Sequence, residues 1–208
     1  MENLCQTYAI ILSKKNWRED DLLFSFFTKE FGRLDIVAIG ARKLKSKLVG
    51  HLSSLGMIEI NFVRGRSNNK LTHAYLIKHL PVEDTELYNF IHITREVVEK
   101  SFTSEEKNLP VWELVQWTEE RLLESHDKNI KKIIINIFLI QVLKILGYTI
   151  NPDNNLSGPI ASLLEDFRIG RIKQSKFLNK YNNNLLFDFL KRQIIRQLEV
   201  SINTFKGI

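Results

Sequence analysis

The sequence predicts an α+β protein, with a small closed or half-closed β-barrel over residues 1–80 followed by an all-helical domain over residues 81–208. Three observations predict this. The first 80 residues carry five short apolar runs with glycines between or at the ends of them, as strands and turns require. After Pro81 the apolar period lengthens to that of an amphipathic helix. The charge changes sign at the same place: residues 1–80 hold 13 Lys and Arg against 7 Asp and Glu, and residues 81–167 hold 8 against 15. Residues 168–208 return to 9 against 2, so the chain reads basic, acidic, basic within a net charge of +6. Segregation of that kind fits a polyanion-binding end and a middle that repels polyanions or meets something else.

The strand signals are, in order, Tyr8 to Leu12, Leu22 to Thr28, Leu34 to Ile39, Met57 to Val63 and Leu71 to Leu80. The second is rich in phenylalanine and ends in the turn-like Lys29-Glu30-Phe31-Gly32. The fourth alternates cleanly, with Ile58, Ile60 and Phe62 set against Glu59 and Asn61, whereas the fifth is less regular. Five strands with short turns in so short a stretch fit a barrel.

The first helix is predicted from Leu87, Tyr88, Ile91, Thr94 and Val98, which share one face. A second begins after Pro110, a residue suited to a first helical turn, and carries Trp112, Val115, Leu122 and Leu123. The third runs from about Asn129 to Leu146 and stops at Gly147. Its stretch Ile133 to Leu146 is too short for a bilayer and is interrupted by Asn136, Gln141 and Lys144, so Ile134, Ile137, Phe138 and Leu146 are expected in a core. After the loop Asn151 to Asn155 come short helices around Ile160–Phe167 and Ser175–Asn179. A last helix runs from about Asn184 to Phe205.

Composition narrows the function. With 44% hydrophobic and 26% charged residues the chain can bury a core. Its start has an acid before a short apolar run and no small-residue cleavage site, which predicts no signal peptide and a cytoplasmic location. Cys5 is the one cysteine, which excludes an intrachain disulfide and a multi-cysteine zinc site. The histidines His51, His73, His79, His92 and His126 are scattered without metal spacing. No HExxH, GxSxG, Walker A or GxGxxG pattern is present, so no catalytic or metal-ligating residue is assigned and the protein is expected not to be an enzyme. Glu19-Asp20-Asp21 is a tight acidic cluster, read as a turn whose acids pair with local lysines rather than as a metal site.

The strongest functional signal is basic. No acid occurs from Ile36 to Ile58, and Arg42, Lys43, Lys45 and Lys47 fall within six positions there, between two strands. Such a loop on a small barrel holds a phosphate backbone by charge neutralisation, without reading sequence; a solvated hairpin loop is the bland reading. Lys14, Lys15, Arg33, Arg64 and Arg66 add charge to the same domain and complete the candidate DNA-binding set. Phe24, Phe26, Phe27, Phe31 and Phe62 offer rings for base stacking, but at strand positions most belong in a core. A second basic region, Arg168, Arg171, Lys173, Lys176 and Lys180 with Lys191, Arg192 and Arg196, reads as solvated helix faces; the functional alternative is that it extends the DNA path or receives an acidic peptide tail.

The segment LLFSFFTKEFGRLDIVAIGARKLKSKLVGHL, followed by GMIEINFVRGR and LTHAYLI, resembles the RecO family of bacterial recombination mediators. The likeness rests on Glu19 to Leu22, the T-x-E-x-G-R turn from Thr28 to Arg33, the VAxGARK(x)KSKL block from Val37 to Leu48, and L-x-x-A from Leu71 to Ala74. It covers residues 5–80 and continues loosely in Leu146 to Tyr148, Pro152 and the stretch Ser201 to Phe205. The resemblance implies an N-terminal OB-fold β-barrel on a helical domain. It implies binding of single- and double-stranded DNA, annealing of complementary strands, and action with RecR to load RecA onto DNA coated by single-strand binding protein.

Two departures are visible. Relatives often carry a four-cysteine zinc-ribbon-like insertion after the LGY segment; Asn151 to Ser157 stand there instead, so no zinc or other cofactor is expected. Ile39 and Leu44 replace a lysine and a proline that are common in the basic block. If the acidic, apolar-ended tail of single-strand binding protein docks on the helical domain, two cation groups could receive it. One is Lys128, Lys131 and Lys132 at the start of the most apolar helix; the other is Arg168 with Arg171 beside Phe167 and Ile169. The reading from a different class is an OB-fold adaptor that binds protein and not DNA; a steep salt dependence of DNA affinity separates the two.

Overall fold

A computed structural model describes residues 4–43, 48–82, 84–103, 105–150, 158 and 183–207. The first five strands are β1 (Leu4–Asn16), β2 (Leu22–Thr28), β3 (Gly32–Ala38), β4 (Gly56–Val63) and β5 (Asn69–His79). They close into a barrel in the order β1-β2-β3-β5-β4, and β4 pairs back onto β1. Every pairing is antiparallel except the short parallel closure of β3 on β5 at Ile36↔Asn69 and Val37↔Lys70. Order, closure and a helix between β3 and β4 make this the OB-fold that the resemblance implies.

The alternation expected of β4 is observed: Ile58, Ile60 and Phe62 are fully buried between half-buried Met57, Glu59, Asn61 and Val63. They join Ala9, Phe24, Phe26, Leu34, Ile36, Leu71 and Ala74 inside the barrel. The irregular pattern of β5 has a cause. Its register against β4 shifts between Met57 and Ile58 and again between Asn61 and Phe62, so the inward residues Leu71, Ala74 and Leu76 are not spaced by two throughout. β1 extends well beyond Tyr8 to Leu12, because pairing with β2 on one side and β4 on the other carries polar residues into the strand.

The turn from β2 to β3 depends on Gly32. Its φ is +68°, and a Cβ there would lie 2.1 Å from the carbonyl oxygen of Glu106. Thr28 braces the turn, its hydroxyl donating to the Gly32 carbonyl and accepting from the Phe31 N–H. Helix α1 (Leu48–Leu52) was not expected. It is too short to show a period, and it is held from outside: the Leu76 N–H donates to His51 Nδ1 and Leu52 is buried in the barrel core.

Helices α2 (Thr85–Ser101), α3 (Leu109–Glu124), α4 (Lys128–Ile145) and α5 (Asn183–Leu198) follow. The chain divides into two compact units, Met1–Glu83 with Arg95–Trp112, and Asp84–Thr94 with Glu113–Ile208, so α2 and α3 each contribute to both.

In the first unit the C-terminal half of α2 lies along the outside of β1 and β2. Arg95, 1% exposed, donates to the Ile11 carbonyl at 3.0 Å, Ser13 donates to Glu99, and Phe102 meets Phe27 at 6.3 Å.

In the second unit α4 is buried continuously from Ile133 to Ile140, including Ile134, Ile137 and Phe138. Leu146 departs from expectation. It is the half-buried C-cap, followed by Gly147 at φ +80°, whose N–H bonds the Lys144 carbonyl. The last helix also ends early, at Leu198. Glu199 turns left-handed at φ 53°, and a 3-10 turn (Asn203–Gly207) brings Phe205 edge-on to Phe187. The loop Asn151 to Asn155 and the short helices expected around 160–167 and 175–179 lie outside the described residues. Among the described residues no helix is long and apolar enough to cross a membrane.

Candidate nucleic-acid interface

The outer side of β2 and β3 and the loops beside it carry most of the predicted cations. Arg33 points outward from β3, its neighbours Leu34 and Ile36 facing the core. Its guanidinium is anchored three ways: Nε donates to Ser25 Oγ at 3.0 Å, Nη1 reaches the Glu99 carbonyl at 3.4 Å, and Nη2 pairs with Asp35 at 3.4 Å.

Two neighbouring hollows share Arg33 and Asp35 as a common wall. The smaller, about 80 Å³, is lined by Ser13, Lys15, Leu23, Ser25 and Glu99 besides. The larger, about 560 Å³, runs under the β4–β5 loop and adds Arg64 and Arg66. Together they form one polar track from Lys15 through Arg33 to Arg64 and Arg66, between the strands and the segment that bears Glu99, Thr103 and Glu105.

Arg64 is held at both ends of its head group. It lies 5.4 Å from the ring centre of Phe31 and 2.9 Å from the Glu105 carboxylate. Phe31 is itself set edge-on against the buried Phe62. Arg66 is exposed, with no hydrogen-bond or ion-pair partner among the described residues. Lys14 and Lys15 are also exposed, and Lys14 lines neither hollow.

Arg42 and Lys43 occupy a turn after β3, docked on the β1–β2 loop. The Arg42 N–H donates to the Asp20 carbonyl and its Nη1 to the Glu19 carbonyl at 2.8 Å, while Lys43 pairs with Asp20 at 3.5 Å. The acid-free run is therefore acid-free in sequence only, since Asp20 returns a carboxylate to Lys43 across the fold. The same contacts occupy the Glu19-Asp20-Asp21 cluster, with Asp21 accepting the Gly40 N–H at 2.8 Å. Among the described residues no group of three His, Cys, Asp or Glu is placed to hold a metal ion. Lys45 and Lys47 lie outside the described residues.

The phenylalanines offered for base stacking do not present open ring faces. Phe24, Phe26, Phe27 and Phe62 are buried, and Phe31 packs on the core beneath Arg64. The exposed aromatics of this unit are Tyr8, Trp17 and Tyr75, none of which belongs to the phenylalanine-rich pattern. Tyr8 and Tyr75 occupy outward strand positions on either side of Glu59, and Trp17 sits in a loop. Strand phase alone would have flagged Tyr8, because Ala9 beside it faces inward.

In the helical unit the first of the two receptor groups does not form a free cationic pocket. Lys131 is 5% exposed, its ammonium 3.3 Å from Asp84. Lys128 pairs with Glu86 at 2.8 Å, and Lys132 donates to Asn184 at 2.6 Å. The N-terminus of α4 already holds a carboxylate, since Asp127 accepts the N–H groups of Asn129 and Ile130. Asp84 is engaged in turn: the Leu87 N–H, and after it Lys131, hold its carboxyl below the usual carboxylate range. Arg168 and Arg171 lie outside the described residues.

Comparison with known proteins agrees with this barrel. Residues 1–80 match the family model described as Recombination protein O N terminal. A DNA repair protein RecO of Chlorobium phaeobacteroides strain DSM 266 is 27% identical over 149 residues, 70% of this chain and 56% of that protein. The RecO of strain BS1 is 30% identical over 124 residues, 57% of this chain and 47% of that protein. The RecO of Clostridium perfringens is 23% identical over 153 residues, 73% of this chain and 61% of that protein. The chain thus spans about half the length of the curated relatives it matches. Barrel closure and similarity point the same way: residues 1–80 form an OB-fold barrel and are similar to the N-terminal domain of the RecO family.

Proposed function

We propose that this protein is a non-enzymatic DNA repair and recombination mediator. It binds single- and double-stranded DNA, anneals complementary strands, and with RecR helps load RecA onto DNA coated by single-strand binding protein. It works in the bacterial cytoplasm, on the nucleoid. Residues 1–80 act as the DNA-binding domain and residues 81–208 as the helical domain that receives partners.

The observation that carries this reading is the shared wall at Arg33, which joins Lys15, Arg33, Arg64 and Arg66 into one surface. Three of the predicted cations, Arg33, Lys43 and Arg64, already face carboxylates, but those pairs are partly exposed. Exposed pairs contribute about 0–1 kcal/mol, so a phosphate can displace the acid. Cations set against the backbones of two strands lower the repulsion that opposes annealing, and they leave the bases free to pair.

The test is a DNA titration at two salt concentrations with the unaltered protein and a Lys15→Ala, Arg64→Ala, Arg66→Ala variant. Each lost phosphate contact lowers the salt slope by roughly 0.7–0.9. A folded variant with the slope of the unaltered protein would rule this surface out.

The second reading, a barrel that docks protein and not DNA, is favoured by the exposed Tyr8, Tyr75 and Ile77 on β1 and β5. The same face serves the first reading as a docking surface for RecR. For the tail of single-strand binding protein, the pairing of Lys128, Lys131 and Lys132 leaves Arg168 and Arg171 as the candidates that the sequence supports.

A further inference from the structure

The β1–β2 loop carries an aromatic side chain that the fold does not use. Trp17 follows the last residue of β1 and is 40% exposed, although the loop around it is firmly held. The Trp17 N–H donates to the Asp21 carbonyl, Asp21 Oδ1 takes the Gly40 N–H, the Asp20 carbonyl takes the Arg42 N–H, and the Glu19 carbonyl takes Arg42 Nη1. Glu19, Asp20 and Asp21 are thereby all committed to bracing the loop against the turn after β3. The side chains of Trp17 and Arg18 are not. Both are exposed, and among the described residues neither side chain has a polar or ring partner.

Their position joins two halves of the interface. Lys15, two residues before Trp17, lines the small hollow that opens the track toward Arg33. Two residues after Trp17 comes Glu19, whose carbonyl holds Arg42. The loop therefore spans the interval between the Lys15–Arg66 track and the Arg42–Lys43 turn, and it presents an indole there. A large apolar ring left in water on a rigid loop gains by being covered, and every nucleobase has a face that can cover it.

We propose that Trp17 is a base-stacking platform whose ligand is an unpaired nucleobase of a single strand, with Arg18 contacting the neighbouring phosphate. The inference rests on the DNA-binding reading and sharpens it. Bases in a duplex have both faces stacked, so the indole engages single strands and not duplexes. Its contribution is apolar and changes little with salt, whereas that of the cations falls as salt rises.

The experiment measures affinity for an oligothymidine and for a duplex at two salt concentrations, with the unaltered protein, Trp17→Ala, Trp17→Phe and Arg18→Ala. Trp17→Ala is expected to weaken single-strand binding about tenfold, within the range for one stacked base, equally at both salt concentrations and with little change for the duplex. Trp17→Phe restores most of the loss because a ring remains, and Arg18→Ala lowers the single-strand salt slope by about 0.7.

Unchanged single-strand affinity in Trp17→Ala would overturn the proposal. So would an equal loss for duplex and single strand, or a Trp17→Phe variant as weak as Trp17→Ala. Loss of RecR binding with oligothymidine affinity intact would assign the loop to protein docking and also overturn it. If the unaltered protein bound neither DNA, the functional reading itself would fall and this inference with it. Binding that depends on Arg64 and Arg66 but not on Trp17 would sink the inference alone.

Discussion

Arg64 Nη1 lies 2.9 Å from the Glu105 carboxylate at the edge of the larger hollow, where a nucleic-acid phosphate would sit if the track binds a backbone. The acid comes from the connection between α2 and α3, and the close approach of that connection is permitted by Gly32, which has no Cβ to meet Glu106. Glu105 thus occupies an anion position of the basic domain from within the same unit.

Glu105→Gln is therefore expected to tighten DNA binding, since the phosphate no longer competes with a carboxylate. Exposed pairs are worth about 0.2–1 kcal/mol, so the gain is about 1.5- to 5-fold and shrinks as salt rises. Arg64→Ala is expected to act in the opposite direction. Fluorescence anisotropy with a labelled oligonucleotide measures both; equal affinities for Glu105→Gln and the unaltered protein would remove Arg64 from the binding surface.

Changing Arg42, Lys43, Lys45 and Lys47 together to Ala is expected to weaken single-strand binding and flatten its salt dependence. The drop should be smaller than four free cations would produce, because Lys43 is paired with Asp20 and Arg42 is occupied by the Glu19 carbonyl. Circular dichroism serves as the folding control, since losing Arg42 also loosens the β1–β2 loop. A folded variant with an unaltered slope would exclude this block.

Phe138→Ala is expected to cost about 3–5 kcal/mol in chemical denaturation, because the ring is wholly buried on the most buried helix. Leu146→Ala should cost clearly less, its side chain being half-buried at the helix end. Equal costs at the two positions would contradict the placement of α4.

Asp84 links stability to pH. Its folded carboxyl titrates below its ordinary value because the ionised form accepts the Leu87 N–H and pairs with Lys131. A depressed carboxylate stabilises the fold above its unfolded pKa, and that contribution is lost as pH falls through the folded pKa. The melting temperature of the unaltered protein should therefore fall below about pH 4. Asp84→Ala should melt lower at neutral pH, with the Leu87 N–H left without its acceptor and Lys131 left buried without its carboxylate, and should lose less on acidification. Parallel acid limbs for the two proteins would show that Asp84 does not carry the effect.

Much of the architecture was legible in the chain. Alternation placed Ile58, Ile60 and Phe62 inside the barrel, Pro81 marked the change to helices, and Gly147 ended α4, because these signals are local: strand phase, a missing N–H, a tolerated positive φ. The basic character of residues 1–80 was equally local. Tertiary structure alone decided which cations meet which acids. Asp20 reaches Lys43, Glu105 reaches Arg64 and Asp84 reaches Lys131 across 23, 41 and 47 positions, and no short-range pattern encodes such encounters. The same holds for the aromatics. A phenylalanine run announces hydrophobic content, but closure of the barrel buries those rings, while Trp17, outside any periodic segment, is left facing water. Burial follows from where strands close and helices cross, and that is a property of the folded chain rather than of any window of its sequence.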